Sequence, residues 1–385
     1  MPCDDAHVRT LIASDLHLGA GTGIDLLRDE SLREPLLDVA AKADRVLLLG
    51  DVLELRERPL AEALELSAPF FEALGGAAPD AEILIVPGNH DHHLLEEWMA
   101  RRRLERIPSL GLEERAPAEC AGPLVERALR AGCGDVGLAY PGVWVRDDVY
   151  AMHGHYLDRH LTIPTFERLA LAAVERALGP GPNEGADPLD APEGPADPDE
   201  YERALSPVYA FLFALAQGVK ADRVGPGPSA RIWAAMTGGA TRAQKLRGWL
   251  LGSVALPGAV GIANRFGLGP VKPDLSPGAI TRAGLAAVEV VIDRLGIEAE
   301  HVIFGHTHRR GPLEGESGWT TAGGTALTNC GSWTHMPGFL GSASVAESPY
   351  WPGTVVEVGD SGPPRARLLL ESLGRDELAA AAGGE

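Results

Sequence analysis

The chain has 385 residues, 45% of them apolar, which is enough for one large domain with an insertion or for two domains. Its 34 Lys and Arg against 54 Asp and Glu give a net charge of −20, which argues against nucleic acid as the main partner. A small phosphorylated substrate stays open, because bound metal ions supply local positive charge. Cys3, Cys120, Cys133 and Cys330 form no C-x-x-C pair, so a Cys-rich zinc site is excluded and reduced cytosolic thiols are expected. The first residues carry no basic region followed by an apolar segment, so no signal peptide is expected. No apolar run reaches the ~18–20 residues of a membrane span; the nearest, Trp249 to Ala263, is interrupted by Gly and by Pro257. These features together lead to an expected cytoplasmic location.

Val8 to Ser14 reads as a strand ending in Asp15-x-His17. On an extended backbone residues two apart face one side, so a carboxylate and an imidazole at this spacing can grip one ion. Asp25 is placed to cap a helix over Leu26–Ala43, with Pro35 as a kink. Arg45 to Leu49 is a continuous apolar run, as in a strand buried on both faces, and it ends at Gly50-Asp51. Pro59 to Leu74 is a helical pattern closed by Gly75-Gly76. Ile83 to Val86 is a third buried strand, ending at Gly88-Asn89-His90-Asp91, with a helix from His92 to Leu104 after it. Strand alternating with helix is the rhythm of an α/β sheet, in which polar residues at strand ends line a crevice.

Residues 105–142 give no clear pattern. Val143–Val145 and Val149–Met152 read as a hairpin around Asp147-Asp148, delivering His153-Gly154-His155. Gly179 to Asp199, rich in Gly, Pro and acidic residues, reads as a flexible loop. Helical patterns surround it at Phe166–Leu178, Glu202–Val219, Arg231–Leu251 and Thr281–Leu295. His301 to Phe304 returns to a strand and ends at Gly305-His306-Thr307-His308. Short β-like segments follow at Ala326–Thr328, Thr354–Val358 and Arg365–Leu370.

Five ligand-bearing turns therefore occur in order, most of them directly after an apolar run. Their glycines permit close backbone approach. Their donors are carboxylate, imidazole and amide, without thiolate, a mix suited to Mn²⁺, Fe or Zn²⁺. In these motifs the chain resembles the calcineurin-like metallophosphoesterase superfamily. The segment Thr328 to Trp333 resembles the bacterial branch that includes the UDP-diacylglucosamine pyrophosphatases, although those usually carry Arg where this chain has His90.

The resemblance implies an α/β fold, a four-layer αββα sandwich; the helical patterns between His155 and His301, which have no counterpart in the motif set, read as a helical cap insertion over the crevice. The core would be residues 1–155 and 300–373, the cap 156–299 and a disordered tail 374–385. It implies two divalent ions, Mn²⁺ first with Fe or Zn²⁺ as alternatives. Asp15, His17 and His308 would bind one ion, Asn89, His153 and His306 the other, and Asp51 both. It implies a hydrolase of phosphoester or pyrophosphate bonds, in which a metal-bridging hydroxide attacks phosphorus and His90 assists the leaving oxygen. Glu54, where many relatives have an Asp paired with that histidine, joins His90 as the second expected catalytic residue. His155 would contact substrate or support a ligand. His92, His93 and His160 read as ordinary surface or helix residues, and Arg309 and Arg310 as phosphate holders or a solvated pair. The expected partner is a small phosphorylated molecule. Rival readings are an enzyme held at the inner face of a membrane through the cap, at Phe211–Leu215 or Trp249–Leu251, and acting on a lipid-linked phosphate or a nucleotide-sugar lipid, and a non-catalytic scaffold. The oligomeric state is not legible.

Overall fold

A computed structural model describes residues 10–21, 24–107, 109–116, 136–162, 194–218, 276–340 and 347–383, with isolated positions between them. The helices expected at Phe166–Leu178 and Arg231–Leu251, the run Trp249–Ala263 and most of the loop Gly179–Asp199 fall wholly or mainly outside the described residues. The chain divides into two compact units, one of Met1–Gly154, Leu212–Gly225 and Glu298–Glu385, the other of His155–Phe211 and Pro226–Ile297. Among the described residues no helix is long and apolar enough to cross a membrane.

The first unit is mixed α/β around a large sheet. Strand β1 (Thr10–Ala13), helix α1 (Glu30–Ala40), β2 (Arg45–Leu49), α2 (Leu60–Ala77) and β3 (Glu82–Val86) alternate in order. The three strands are parallel neighbours, with Ile12 opposite Leu47 and Leu47 opposite Leu84. Helix α3 (Glu96–Glu105), β4 (Glu113–Ala116), β5 (Val136–Arg146) and β6 (Val149–Met152) follow. After the second unit come β7 (His301–Phe304), β8 (Arg310–Gly311), β9 (Ala326–Cys330), β10 (Thr354–Val358) and β11 (Arg365–Leu368). The eleven strands run β11-β10-β1-β2-β3-β5-β6-β7-β9-β8, with β4 added on β5.

Strand β5 joins the two halves of this order. Its first part pairs with β3 and β4, and from Gly142 onward it pairs with β6. A Cβ at residue 142 would overlap the Tyr150 hydroxyl and the Ala151 carbonyl, so the changeover needs glycine. One apolar cluster draws on both halves: Ile12, Leu47, Leu49, Leu84 and Val86 from one, Val149, Ala151, Ile303 and Cys330 from the other. These side chains alternate along their strands, so the opposite face takes the intervening residues.

Several expectations are corrected. The helix expected over Leu26–Ala43 is two pieces, because Asp25 caps a short 3₁₀ turn, Leu26–Arg28, and Asp29 caps α1 in turn. Helix α2 runs through Gly75 and Gly76 to Ala77. His92–Leu95 is a 3₁₀ turn ahead of α3. The tail expected to be disordered forms a helix, Arg375–Gly383, whose Leu378 and Ala382, one turn apart, are buried.

In the second unit, Pro198–Ala216 (which continues past the unit's Phe211) and Pro277–Leu295 are helical. Tyr156 and Tyr201 stack at 4.6 Å, and Glu200 accepts from both Arg159 and Arg294. Burial, with Arg294, Arg159 and Arg168, lowers His160 to about 3. His155 is buried and packs edge-on against Tyr156 and Tyr209.

Candidate metal centre

The expected ligands of all five turns lie in the first unit, each turn just past a strand. Backbone hydrogen bonds fasten them together. Asp15 N–H donates to Gly50 O at 3.1 Å, His17 N–H to Asp51 O at 2.8 Å, and Gly305 N–H to His153 O at 2.9 Å. His306 N–H donates to Asp15 Oδ2 at 3.0 Å, which ties the last turn to the first across 291 positions.

The side chains do not converge in the way an extended backbone would bring them. Strand β1 ends at Ala13, and Asp15 and His17 both have left-handed backbone, φ 55° and 47°. His306 and His308 behave alike, at 66° and 55°, and Asp51 is at 50°. Apart from Arg106 at the end of α3, these five are the described non-glycine residues with positive φ. Each such residue costs about 1–2 kcal/mol. The strands behind them can hold that strain, since each fully buried Val, Leu or Ile contributes about 1.5–3 kcal/mol and β2 alone buries Val46 to Leu49. Strain gathered on five residues of metal-ligand type is the pattern of a functional site.

Two groups of donors meet at Asp51. Asp15, His17, Asp51 and His308 form one, and Asp51, His153 and His306 the other. In the first, His17 Nε2 and His308 Nε2 are 3.1 Å apart, with Asp15 Oδ1 3.3 Å from His308 Nε2 and Asp51 Oδ2 3.6 Å from His17 Nε2. In the second, Asn89 Oδ1 faces His153 Nε2 at 3.2 Å and His306 Nδ1 at 3.0 Å, and Asp51 Oδ2 lies 3.4 Å from His153 Nε2. Every expected ligand is thus brought into one of two adjoining clusters.

The tautomers follow from the outer contacts. His17 Nδ1–H donates to Glu54 Oε2 at 2.9 Å and His153 Nδ1–H to Leu49 O at 3.0 Å, which leaves Nε2 of both rings facing inward. Glu54 also accepts from His90 Nδ1–H at 2.8 Å and from the backbone N–H groups of Arg56 and Glu57. The extra methylene relative to Asp lets one carboxylate serve both imidazoles. Glu54 therefore positions His17 and His90 and does not itself face the donor clusters. Burial opposes protonation of His17, but the Glu54 hydrogen bond and the charges of Asp51, Glu54 and Asp15 outweigh it and raise the ring to about 9. Burial likewise opposes, and Asp51 outweighs, in His153, raised to about 10. Burial dominates in His308, lowered to about 4. The charges of His153, His90 and His17 overcome burial to hold Asp51 well below the usual carboxylate range.

Three observations fit these residues to metal. Asp15 Oδ1 is buried and has no hydrogen-bond partner, although His308 lies close. The Nε2 atoms of His17, His153 and His308 lie beside Asp15 and Asp51 oxygens, positions from which each ring, once unprotonated there, offers a lone pair to a cation. The donor set holds carboxylate, imidazole and amide only, which suits a first-row divalent ion.

Glycine makes room at two points. Gly50 has φ 82°, and a Cβ there would overlap the His153 ring. A Cβ at Gly305 would overlap Ser14 Oγ.

Sequence reasoning missed two supports. Asp91, fully buried, accepts from Val52 N–H, Leu53 N–H and Gly88 N–H at 2.8, 3.2 and 2.7 Å, which holds the Asp51 and Asn89 turns together. Burial and the Asp51 charge raise it to about 6. Asn329 donates to Gly305 O and Thr307 Oγ1, fixing the last turn. The position of Asp91 inside its motif was the available signal.

The two arginines after that turn are committed elsewhere. Arg309 pairs with Glu316 and lies over the Trp319 ring, and Arg310 donates to Ser348 O and Val345 O. Neither is a solvated charge or an open phosphate holder. His92 is buried with its ring edge against Tyr140, and His93 pairs with Glu96 and stacks on Phe213.

No curated protein matches the chain. The sequence profile of the calcineurin-like phosphoesterases matches residues 8–202, about half of the chain, and takes in four of the five turns. The fifth lies beyond the match, yet His306 is bonded to Asp15. With its ordered motifs, its α/β core and this match, the chain belongs to the calcineurin-like phosphoesterase family.

Proposed function

We propose that the chain is a dinuclear metal-dependent hydrolase of a phosphoester or pyrophosphate bond in a small molecule. The observation that carries this reading is the pair of donor clusters sharing Asp51. On it, Asp15, His17 and His308 hold one divalent ion, Asn89, His153 and His306 the other, and Asp51 both. Such a pair, with Mn²⁺ favoured by the ligand types, supplies charge neutralisation at the phosphoryl group and lowers the pKa of water.

The chain's own residues then supply orientation and proton movement. Glu54 holds His17 in the tautomer that leaves Nε2 available, and the Leu49 carbonyl does the same for His153. His90, bonded through Nδ1 to Glu54 and through its backbone N–H to Asp51 Oδ1, keeps Nε2 for the leaving oxygen. From that position His90 donates a proton to the leaving oxygen or stabilises the negative charge that develops.

The apolar cluster shared by both halves of the strand order supports a sheet folded on itself with helices outside, the four-layer arrangement. Residues 156–299 are, on this reading, a cap that sets substrate choice, and the protein works in the cytoplasm. A second reading, contact with a membrane surface, draws on Phe211 and Leu215, exposed by 60% and 55%. Flotation with liposomes tests it: an intact chain that stays at the bottom removes it. A non-catalytic scaffold has less support, because no expected ligand type is missing.

The test of the main reading is a panel of aryl phosphate monoesters, diesters and pyrophosphates with Mn²⁺, run beside Asp51→Asn. Turnover by the wild type and none by the folded variant is expected. Equal turnover by both overturns the reading.

A further inference from the structure

The segment that leaves β9 fastens to the chain near the first ligand turn. Trp333 N–H donates to Asp15 O at 3.0 Å, and His335 N–H donates to Ile24 O at 2.9 Å. Between them Thr334 pairs with Asp25 in an isolated antiparallel bridge. Ser332 O accepts from Gly353 N–H at 2.9 Å. With its backbone held in this way, Thr334 presents its hydroxyl to the outer edge of His308. Thr334 Oγ1 lies 3.3 Å from His308 Nδ1 and 3.2 Å from Ser332 Oγ. Ser332 and Thr334 are both buried.

The contact behind His308 differs in kind from those behind the other rings. His17 Nδ1 meets a carboxylate and His153 Nδ1 a carbonyl, groups that only accept and so call for the hydrogen on Nδ1. A hydroxyl donates as well as accepts, so Thr334 alone leaves His308 two arrangements. In one, Thr334 donates to Nδ1 and the ring hydrogen sits on Nε2. That nitrogen faces Asp15 Oδ1 at 3.3 Å and His17 Nε2 at 3.1 Å, and it then has no lone pair for a cation. In the other, Thr334 donates to Ser332 Oγ and accepts from His308 Nδ1–H, which frees the Nε2 lone pair. A metal-binding imidazole needs the second arrangement.

We infer that Ser332 and Thr334 are a hydroxyl pair that sets the tautomer of His308, and through it the affinity of the Asp15, His17, His308 cluster for its ion. Both are positioning residues. Thr334 supplies the acceptor for Nδ1–H. Ser332 touches no expected ligand, and acts by taking the Thr334 hydrogen away from the ring.

This inference rests on the metal-hydrolase reading and names what tunes one of its two sites. The test is calorimetric titration with Mn²⁺ of wild type, Thr334→Val, Thr334→Ser, Ser332→Ala and Asp51→Asn. Thr334→Val keeps the shape and removes the acceptor, whereas Thr334→Ser keeps the hydroxyl. Ser332→Ala leaves the Thr334 hydroxyl no acceptor but Nδ1 among the described side chains. Thr334→Val and Ser332→Ala should each bind one of the two ions about tenfold more weakly or worse, with the other ion held as in wild type. Thr334→Ser should restore most of the loss. Wild-type affinity for both ions in Ser332→Ala or in a folded Thr334→Val overturns the inference. So does equal weakening of both ions, or a Thr334→Ser protein no better than Thr334→Val, since either marks a packing role. Ser332→Ala and Thr334→Ser carry the test if Thr334→Val does not fold. A wild type without bound Mn²⁺, or full binding of both ions by Asp51→Asn, strikes the metal reading itself, a result separate from these.

Discussion

Glu54→Gln isolates the contribution of one carboxylate that touches two imidazoles. In the wild type Glu54 Oε2 lies 2.9 Å from His17 Nδ1 and 2.8 Å from His90 Nδ1, with Oε1 anchored by two backbone N–H groups. Glutamine keeps the size and loses the charge. A hydrogen bond to a charged group contributes about 1.5–3 kcal/mol and a neutral one about 0.5–1.5, so the variant loses about 1–1.5 kcal/mol per imidazole. Over two bonds that is about 2–3 kcal/mol, or roughly 30–150-fold. With its NH₂ toward the imidazoles the glutamine opposes both Nδ1–H groups and favours the wrong tautomer of His17, which weakens the Asp15, His17, His308 cluster; turned the other way it opposes the backbone N–H groups of Arg56 and Glu57. The assay is kcat/KM on an aryl phosphate with saturating Mn²⁺, with Mn²⁺ affinity measured by calorimetry. Turnover should fall by about two orders of magnitude and Mn²⁺ binding should weaken about 10–100-fold. Wild-type turnover with wild-type metal affinity refutes the positioning role.

Asp91→Asn keeps one of two accepting oxygens for three buried N–H groups, and its NH₂ opposes at least one of them. A loss of about 1–3 kcal/mol is expected, read as a lower thermal midpoint; an unchanged midpoint contradicts it. Gly50→Ala places a Cβ on the His153 ring at φ 82°, so it should abolish Mn²⁺ binding at the second cluster; wild-type Mn²⁺ stoichiometry argues against that packing. In metal-free protein the alkaline limb of stability has a definite sign. His17 and His153, raised from 6.5 to about 9 and about 10, hold protons in the folded chain that the unfolded chain releases. Their contribution is complete below 6.5 and disappears as pH rises through 9 and 10. Denaturation with chelator present should show stability falling across that window, and a rise would contradict the charge assignment.

The ligand turns were legible because each is local: a short apolar run, then a glycine or a chain reversal, then a carboxylate or imidazole. How the side chains converge was not, because alternation along a strand says nothing of residues past its end. Asp15, His17, His306 and His308 leave the extended region together, and only contacts from distant turns hold them there. Strand β5 was hidden for a related reason. Gly137, Pro141 and Gly142 punctuate it like a turn, yet the strand continues while its partners change from β3 and β4 to β6. The place of Asp91 in its motif was visible but its partners were not, since two of the N–H groups it accepts from lie 38 and 39 positions away. The tail misled because Ala-rich sequence beside glycine reads as frayed, whereas Leu378 finds a buried place.

The central claim is that Asp51 joins two cation sites. Metal content of purified protein, loaded with Mn²⁺ and dialysed, tests it most directly when wild type and Asp51→Asn are compared. The account expects close to two ions per wild-type chain and a marked loss from both sites in the variant. An absence of bound metal in the wild type, or an Asp51→Asn protein that keeps both ions, would contradict it.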